Sequence, residues 1–198
     1  TLVDSFESEA DLFRYFHPAL YSISEIRTDA DADFIPDRLD DIVAVQGNIT
    51  SINFMGFEGS DYYLQDEEAG INLTAGEVLS FIPGDAVYLA GRLKQKYGLS
   101  FVEPLDLNYV YLLSEGNETD TLFVNLSDLG EEIESKLVHI KGLEFQNPEQ
   151  WPDEGNSAII IVTDGNHSSS ILIDKDTDLD GWNPEHGKVD ITGIVSQS

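Results

Sequence analysis

IVAVQG, residues 42–47, returns later in the chain as LVHIKG, residues 137–142. In both runs branched apolar residues alternate with polar or small ones, and both end on glycine. A period of two marks a half-buried strand, because successive side chains point to opposite faces. The segments after each run decide the fold. YLQD (63–66) is echoed by IVTD (161–164), GINL (70–73) by SILI (170–173), and GDAVYLAGRL (84–93) by GKVDITGIV (187–195). The first glycine and the shared aspartate stand at 47 and 66 in one copy, and at 142 and 164 in the other. The glycines of the fourth run stand at 91 and 193. Four matches in one order describe an internal repeat.

The first copy reads as five strands: DIVAVQGNI (41–49), DYYLQD (61–66), GINLTA (70–75), AVYLAGRLKQKYG (86–98) and LSFVEPLDLNYVYLL (99–113). EEAG makes a hairpin turn before the third, and Tyr97-Gly98 turns between the last two. Five strands, a glycine midway in the first, and a non-strand segment after the third describe an OB-fold. Each repeated glycine falls where a long strand of a small barrel coils sharply, which a side chain would obstruct. The second copy stops at Ser198, after its fourth strand, so its fifth is missing and a piece of a longer protein is expected.

The expected architecture is mostly β: two consecutive OB-fold-like five-stranded barrels, the second lacking its fifth strand, with a short N-terminal helix. Ser8 serves as that helix's N-cap, and Leu12, Phe13 and Phe16 share a face before Pro18. The expected boundaries are 1–30 for helix and lead-in, 31–115 for the first barrel and 116–198 for the second. DADADFIPDRLDD (29–41) reads as a solvated acidic connector.

Thirty-eight acids face ten bases in 198 residues, a net charge of −28. Such a field repels phosphate backbones and anionic lipid, which puts generic nucleic-acid and membrane binding at a disadvantage. With only six lysines, this acid-rich surface suits salty surroundings. The absence of cysteine excludes disulfides, thiolate zinc sites and cysteine nucleophiles. Hydrophobic residues at 41% allow a packed core. No apolar run approaches membrane-spanning length, so no membrane insertion is expected. TLVDSFESE has neither the basic nor the apolar region of a signal peptide. Sequons at Asn48, Asn72, Asn117, Asn125 and Asn166 matter only in a eukaryotic secretory host, and the first two fall inside predicted strands.

Catalytic signatures are missing: there is no G-x-S-x-G, H-E-x-x-H, P-loop or dinucleotide fingerprint. His17, His139, His167 and His186 are scattered without metal spacing. Carboxylate pairs such as Asp66/Glu67 arise from the abundance of acids, and strand neighbours face opposite ways. Asp66 and Asp164 hold equivalent places before a turn, where aspartate bonds nearby backbone amides. The chain is expected to be non-enzymatic.

Binding residues are easier to nominate. Arg92, Lys94 and Lys96 alternate along GRLKQKYG and project from one face, opposite Val87, Leu89 and Leu93. Tyr97 comes next, in the turn. Phe54 and Phe57 lie in INFMGFEG, between the first two strands, and Tyr63 takes the outer parity against Tyr62 and Leu64. OB-folds hold oligonucleotides and oligosaccharides with these loops and this face. The seven residues are thus candidates for single-stranded nucleic acid or glycan. Cross-strand ion pairs with surrounding acids account for the same bases, and the phenylalanines equally seal a barrel end. The second copy has no comparable ribbon.

DKDTDLDGW (174–182) resembles the opening of a calcium loop, with Asp176, Asp178 and Asp180 before Gly181. A calcium loop of this type needs an acid at its twelfth position, which here is Gly187, and Glu185 substitutes only on a different path. The same connector of the first copy, TAGEVLSFIPGD, has no alternating aspartates. Two readings stand: a structural calcium ion, or a loop whose acids cap turns while Gly181 supplies a positive φ. No other cofactor is expected.

SISEIR (22–27), VAVQGNIT, YYLQDEEAGI, GDAVYLAGRL and YGL resemble the OB-fold modules of secreted bacterial proteins, some of which accompany extracellular nucleases. ILIDKDTDLDG and VDITGIVSQ are similar to tandem OB-like repeats of large secreted or surface-anchored bacterial proteins. The resemblance spans residues 22–198 on short motifs. It implies an extracellular or cell-surface location and a non-catalytic spacer or interaction role, with other domains of the same longer protein as partners. Its alternative is a single-stranded nucleic-acid-binding accessory of an extracellular nuclease. The acidity departs from that second role.

Overall fold

The alternating runs become strands in the computed structural model, which describes residues 18–184 and 187–197. The helix expected around Ser8, Leu12, Phe13 and Phe16 lies outside the described residues. Six strands form the first sheet: β1 (Ile42–Ile49), β2 (Ser60–Gln65), β3 (Gly70–Ala75), β4 (Ala86–Lys96), β5 (Leu99–Pro104) and β6 (Val110–Ser114). Their order is β1-β2-β3-β5-β4-β6, and β1 also pairs with β4, so the first five close into a ring. Only β3 and β5 run parallel in it, at Asn72↔Phe101 and Leu73↔Val102.

The glycines sit where the ring is tightest. β1 leaves β4 for β2 at Asn48, and a Cβ on Gly47 would lie 2.9 Å from the Gln65 carbonyl oxygen. A Cβ on Gly91 would lie 2.1 Å from the Glu103 oxygen of β5. Tyr97 (φ +54) and Gly98 (φ +90) make the two-residue turn from β4 to β5, a left-handed pair that matches strand twist. Residues 99–113, expected as one strand, divide into two. Pro104 ends β5 because it has no N–H, and Asp106 caps a 3₁₀ turn at Leu107–Tyr109 by accepting from the Asn108 amide. β4 is long enough to take β5 along Gly91–Lys96 and β6 along Ala86–Leu89.

The second sheet contains β7 (Leu122–Phe123), β8 (Leu137–Phe145), β9 (Ala158–Thr163), β10 (Ser168–Ile173) and β11 (Val189–Ile194). Its order is β10-β9-β8-β11, with β7 beside β8. The register repeats: Val43 faces Gly91 in the first sheet, and Val138 faces Gly193 in the second.

The repeat also reaches into the lead-ins. Leu20 bridges Ala44 in parallel, as Phe123 does His139, and the Tyr21 and Val124 amides donate to those partners' oxygens. One helical turn comes next in each copy, α1 (Ile23–Ile26) in the first and a 3₁₀ turn (Leu126–Asp128) in the second. The Ser22 amide donates to Glu25 at 2.8 Å, and the Asn125 amide donates to Asp128 at 2.8 Å. The first of these turns packs on the first sheet: Ile23 and Ile26 are fully buried in its core.

The two cores differ in depth. Sixteen buried residues fill the closed ring. Five fill the second core, and Ile171, Val189, Ile191 and Val195 are only half-covered there. Among the described residues no strand pairs with the outer edges of β10 and β11. No described helix is long and apolar enough to cross a membrane.

Candidate functional site

The residues nominated for ligand binding do not form one open surface. Tyr63 points outward from β2, as its parity requires, but it is only 7% exposed because the second copy covers it. Its hydroxyl lies 3.1 Å from Ser196 Oγ, and its ring meets Phe54 edge-on with centroids 6.1 Å apart. Burial pushes the Tyr63 phenol above its ordinary range. The neighbouring Asp61 carboxyl is also pushed up by burial, against the pull of the bond donated by Asn72. Tyr63 is thus a seam residue and offers no stacking face to a ligand.

The cations are mostly engaged locally. Lys94 pairs across strands with Glu103 at 2.5 Å, and Arg92 donates to the Asp40 carbonyl oxygen. Lys96 stands 5.4 Å from the Tyr97 ring centroid. Phe57, 99% exposed, and Tyr97, 80% exposed, remain open aromatic surfaces on the first copy. Phe54 is half-buried, consistent with sealing rather than stacking.

The aspartates of DKDTDLDGW do not converge. Asp176 pairs with Lys175 at 2.7 Å, Asp180 accepts from the Gly155 amide at 2.5 Å, and Asp178 is exposed. Gly181 has φ +72 and donates its amide to Pro152. Trp151 donates to the Leu179 carbonyl at 2.7 Å and packs edge-on against Trp182. The loop is therefore tied to the β8–β9 connector by short side chains and two indoles, and in this structure Asp176, Asp178 and Asp180 do not gather within reach of one common point. Glu185 lies outside the described residues. Among those described, the carboxylates gathered within 4.8 Å as a trio are Asp29, Asp31 and Asp37, in the acidic connector. Asp31 is raised by its bond to Asp29 and by the charge of Asp33, as crowded carboxylates require.

The turn aspartates behave as the repeat implies. Asp66 accepts from the Glu68 and Ala69 amides, and Asp164 accepts from the Asn166 and His167 amides. Asp66 also takes the Ile23 amide at 2.8 Å, tying α1 to the β2–β3 turn. His139 bonds Thr192 across β8 and β11 at 2.8 Å.

The site that sequence reasoning did not find is the seam between the copies. Arg27, at the end of α1, has a side chain only 10% exposed and donates to the carbonyl oxygens of Gly70, Glu134 and Glu131. Its guanidinium lies 3.2 Å from Glu134 Oε1. Glu134 is 1% exposed; burial raises its carboxyl above the ordinary value while Arg27 opposes the shift. Gln65 donates to Asp120 and accepts from the Leu137 amide, and Lys136 donates to the Glu68 carbonyl. A Cβ on Gly70 would lie 2.3 Å from the Ser135 oxygen, so backbones touch there. The signal in the sequence was slight: one arginine after an amphipathic turn in a chain with ten bases.

No family model matches the chain, and no curated protein matches it. Among solved structures it is similar to the crystal structure of the tetrameric p202 HIN2, at a TM-score of 0.36 and 13% identity, over 79% of this chain and 80% of that one.

Proposed function

We propose that the chain is a non-catalytic tandem of two OB-like five-stranded barrels, the second one strand short, serving as a spacer or interaction module of a larger secreted protein. The seam carries this reading. OB-folds bind ligands along the outer face of strands two and three. Here Tyr63 on that face is bonded to Ser196, and the backbone at Gly70 lies against Ser135. A face occupied by a neighbour of the same chain suits a spacer of fixed geometry. The ring order β1-β2-β3-β5-β4-β1 and the shared register of both sheets support the barrel assignment, with the second barrel beginning near residue 116. The resemblance of SISEIR and its companion motifs to secreted modules supports an extracellular or cell-surface location.

A second reading, single-stranded nucleic-acid binding beside a nuclease, draws on exposed Phe57 in the β1–β2 connection and on exposed Tyr97 with Lys96 beside it at the end of β4. Anisotropy of a labelled single-stranded DNA at low salt separates the two. No saturable binding is expected. Salt-dependent binding that disappears in Lys94→Glu and Lys96→Glu overturns the spacer reading, because such contacts release counterions.

A further inference from the structure

We infer that the open side of the second sheet is an acceptor for one extended peptide strand, taken up parallel to β10 and antiparallel to β11. This rests on reading that sheet as a barrel one strand short. A cleft of about 360 Å³ opens between the two strands, with Val138, Ile140, Leu143, Val162, Ile171 and Ile191 among its lining residues. An apolar cleft flanked by two unpaired strand edges offers both halves of strand recognition: main-chain hydrogen bonds and pockets for alternate side chains.

The first copy identifies the occupant. There β5 fills the equivalent slot, parallel to β3 and antiparallel to β4, and buries Val102 completely beside Leu93. Val195, the counterpart of Leu93 by register, is left half-covered. Gly193 is the second sign. Its counterpart Gly91 is glycine because the β5 backbone lies against it, yet a Cβ on Gly193 would meet nothing within 4 Å. A strand lying there as β5 does would place its backbone where Gly193 leaves room.

Glu134 is the third sign. It lines the same cleft, and its Oε2 is buried without a hydrogen-bond partner among the described residues, although Oε1 already takes Arg27 and the Ser100 amide. Gln197, also on the cleft wall, is a donor near that carboxylate, and an incoming basic side chain would add another. With Glu131 on the same wall and a net charge of −28, the favoured strand alternates apolar residues with lysine or arginine.

The test uses the full chain and a fluorescein-labelled peptide with the sequence of residues 98–105 carrying Glu103→Lys, against a scrambled version. Saturable binding is expected, with amide exchange in 168–173 and 189–195 slowed at least tenfold by the peptide. Gly193→Val leaves the melting midpoint unchanged, because the space beside it is open, and weakens the peptide at least tenfold. Equal binding of the scrambled peptide, or equal binding by Gly193→Val, overturns the inference. So does a dimer in sedimentation without peptide, which assigns the slot to a second copy. Slow exchange at both edges without peptide means the sheet is already closed, and the reading of a barrel one strand short falls as well. Fast exchange with no peptide binding sinks the acceptor site alone.

Discussion

Replacing Arg27 by alanine tests whether the two copies stand as one body. The guanidinium holds three carbonyl oxygens, at 3.0, 2.8 and 3.0 Å, and faces a carboxylate that is 1% exposed. Removing one partner of a buried pair leaves an uncompensated charge and costs about 3–5 kcal/mol. In a chain of this length each kcal/mol moves the midpoint by about 2–4 °C, so thermal unfolding at neutral pH falls by about 10 °C. Adding Glu134→Gln to Arg27→Ala recovers about 1 kcal/mol or more, because the stranded charge is gone while the side-chain volume stays. The pH dependence has a definite sign. The folded-state pKa of Glu134 is raised, so the cost of its charge is present above that pKa and fades as pH falls toward the ordinary glutamate value. Arg27 lowers that pKa, and its loss raises it further, so the damage is greatest near neutrality and shrinks on acidification. A fall below about 1 kcal/mol, a loss independent of pH, or no recovery in the double variant refutes the clamp.

Three further outcomes rest on close approaches and their absence. Gly91→Ala costs about 3 kcal/mol in denaturant unfolding, because the new methyl meets backbone, whereas Gly193→Ala is neutral or gains about 0.5–1 kcal/mol, as expected for a strand glycine in open space; equal effects at both refute the contrast. Tyr62→Phe removes a hydroxyl that donates to Leu79 and accepts from Phe81, and lowers stability by about 1–2 kcal/mol in the same measurement. Asp178→Asn leaves the melting midpoint unchanged in calcium and in chelator alike, because Asp176, Asp178 and Asp180 do not gather around a common point; a calcium-dependent shift abolished by the substitution refutes that geometry.

The strands were legible because alternation reports which face each residue takes. GINLTA became β3 to the residue, and inward Tyr62 and Leu64 were assigned correctly. Parity says which way a side chain points and nothing about what packs on it, so Tyr63 was read as outward and its cover by the second copy was invisible. The break at 105–106 was written in Pro104 and Asp106, but the apolar run on either side masked it. In the aspartate loop the spacing along the chain was legible, whereas the partners of Asp176 and Asp180, Lys175 and the Gly155 amide, were not. The lead-in repeat, S-x-x-E against N-x-x-D, escaped notice because four short positions carry little signal until the parallel bridges to Ala44 and His139 align them.

The same framework thus carries two different balances. In the first copy β5 completes the ring and adds Val102 to the core, and the glycines are forced by backbone contact. In the second copy the glycine of β11 stands with no contact to force it, and eight apolar side chains packed on its core stay partly in water. Burying apolar area is the main favourable term in folding, at about 25 cal/mol per Å², so the thin core alone is a weak hold. What compensates is polar: Arg27, Gln65, Lys136 and Tyr63 tie the second copy to the completed one through groups shielded from water. Bonds of this kind contribute little each in water and more where solvent is excluded. The closed first sheet therefore serves as the rigid wall against which the second stands, and the two meet at the outer face of β2 and β3, where Tyr63 bonds Ser196 and Gly70 lies against Ser135.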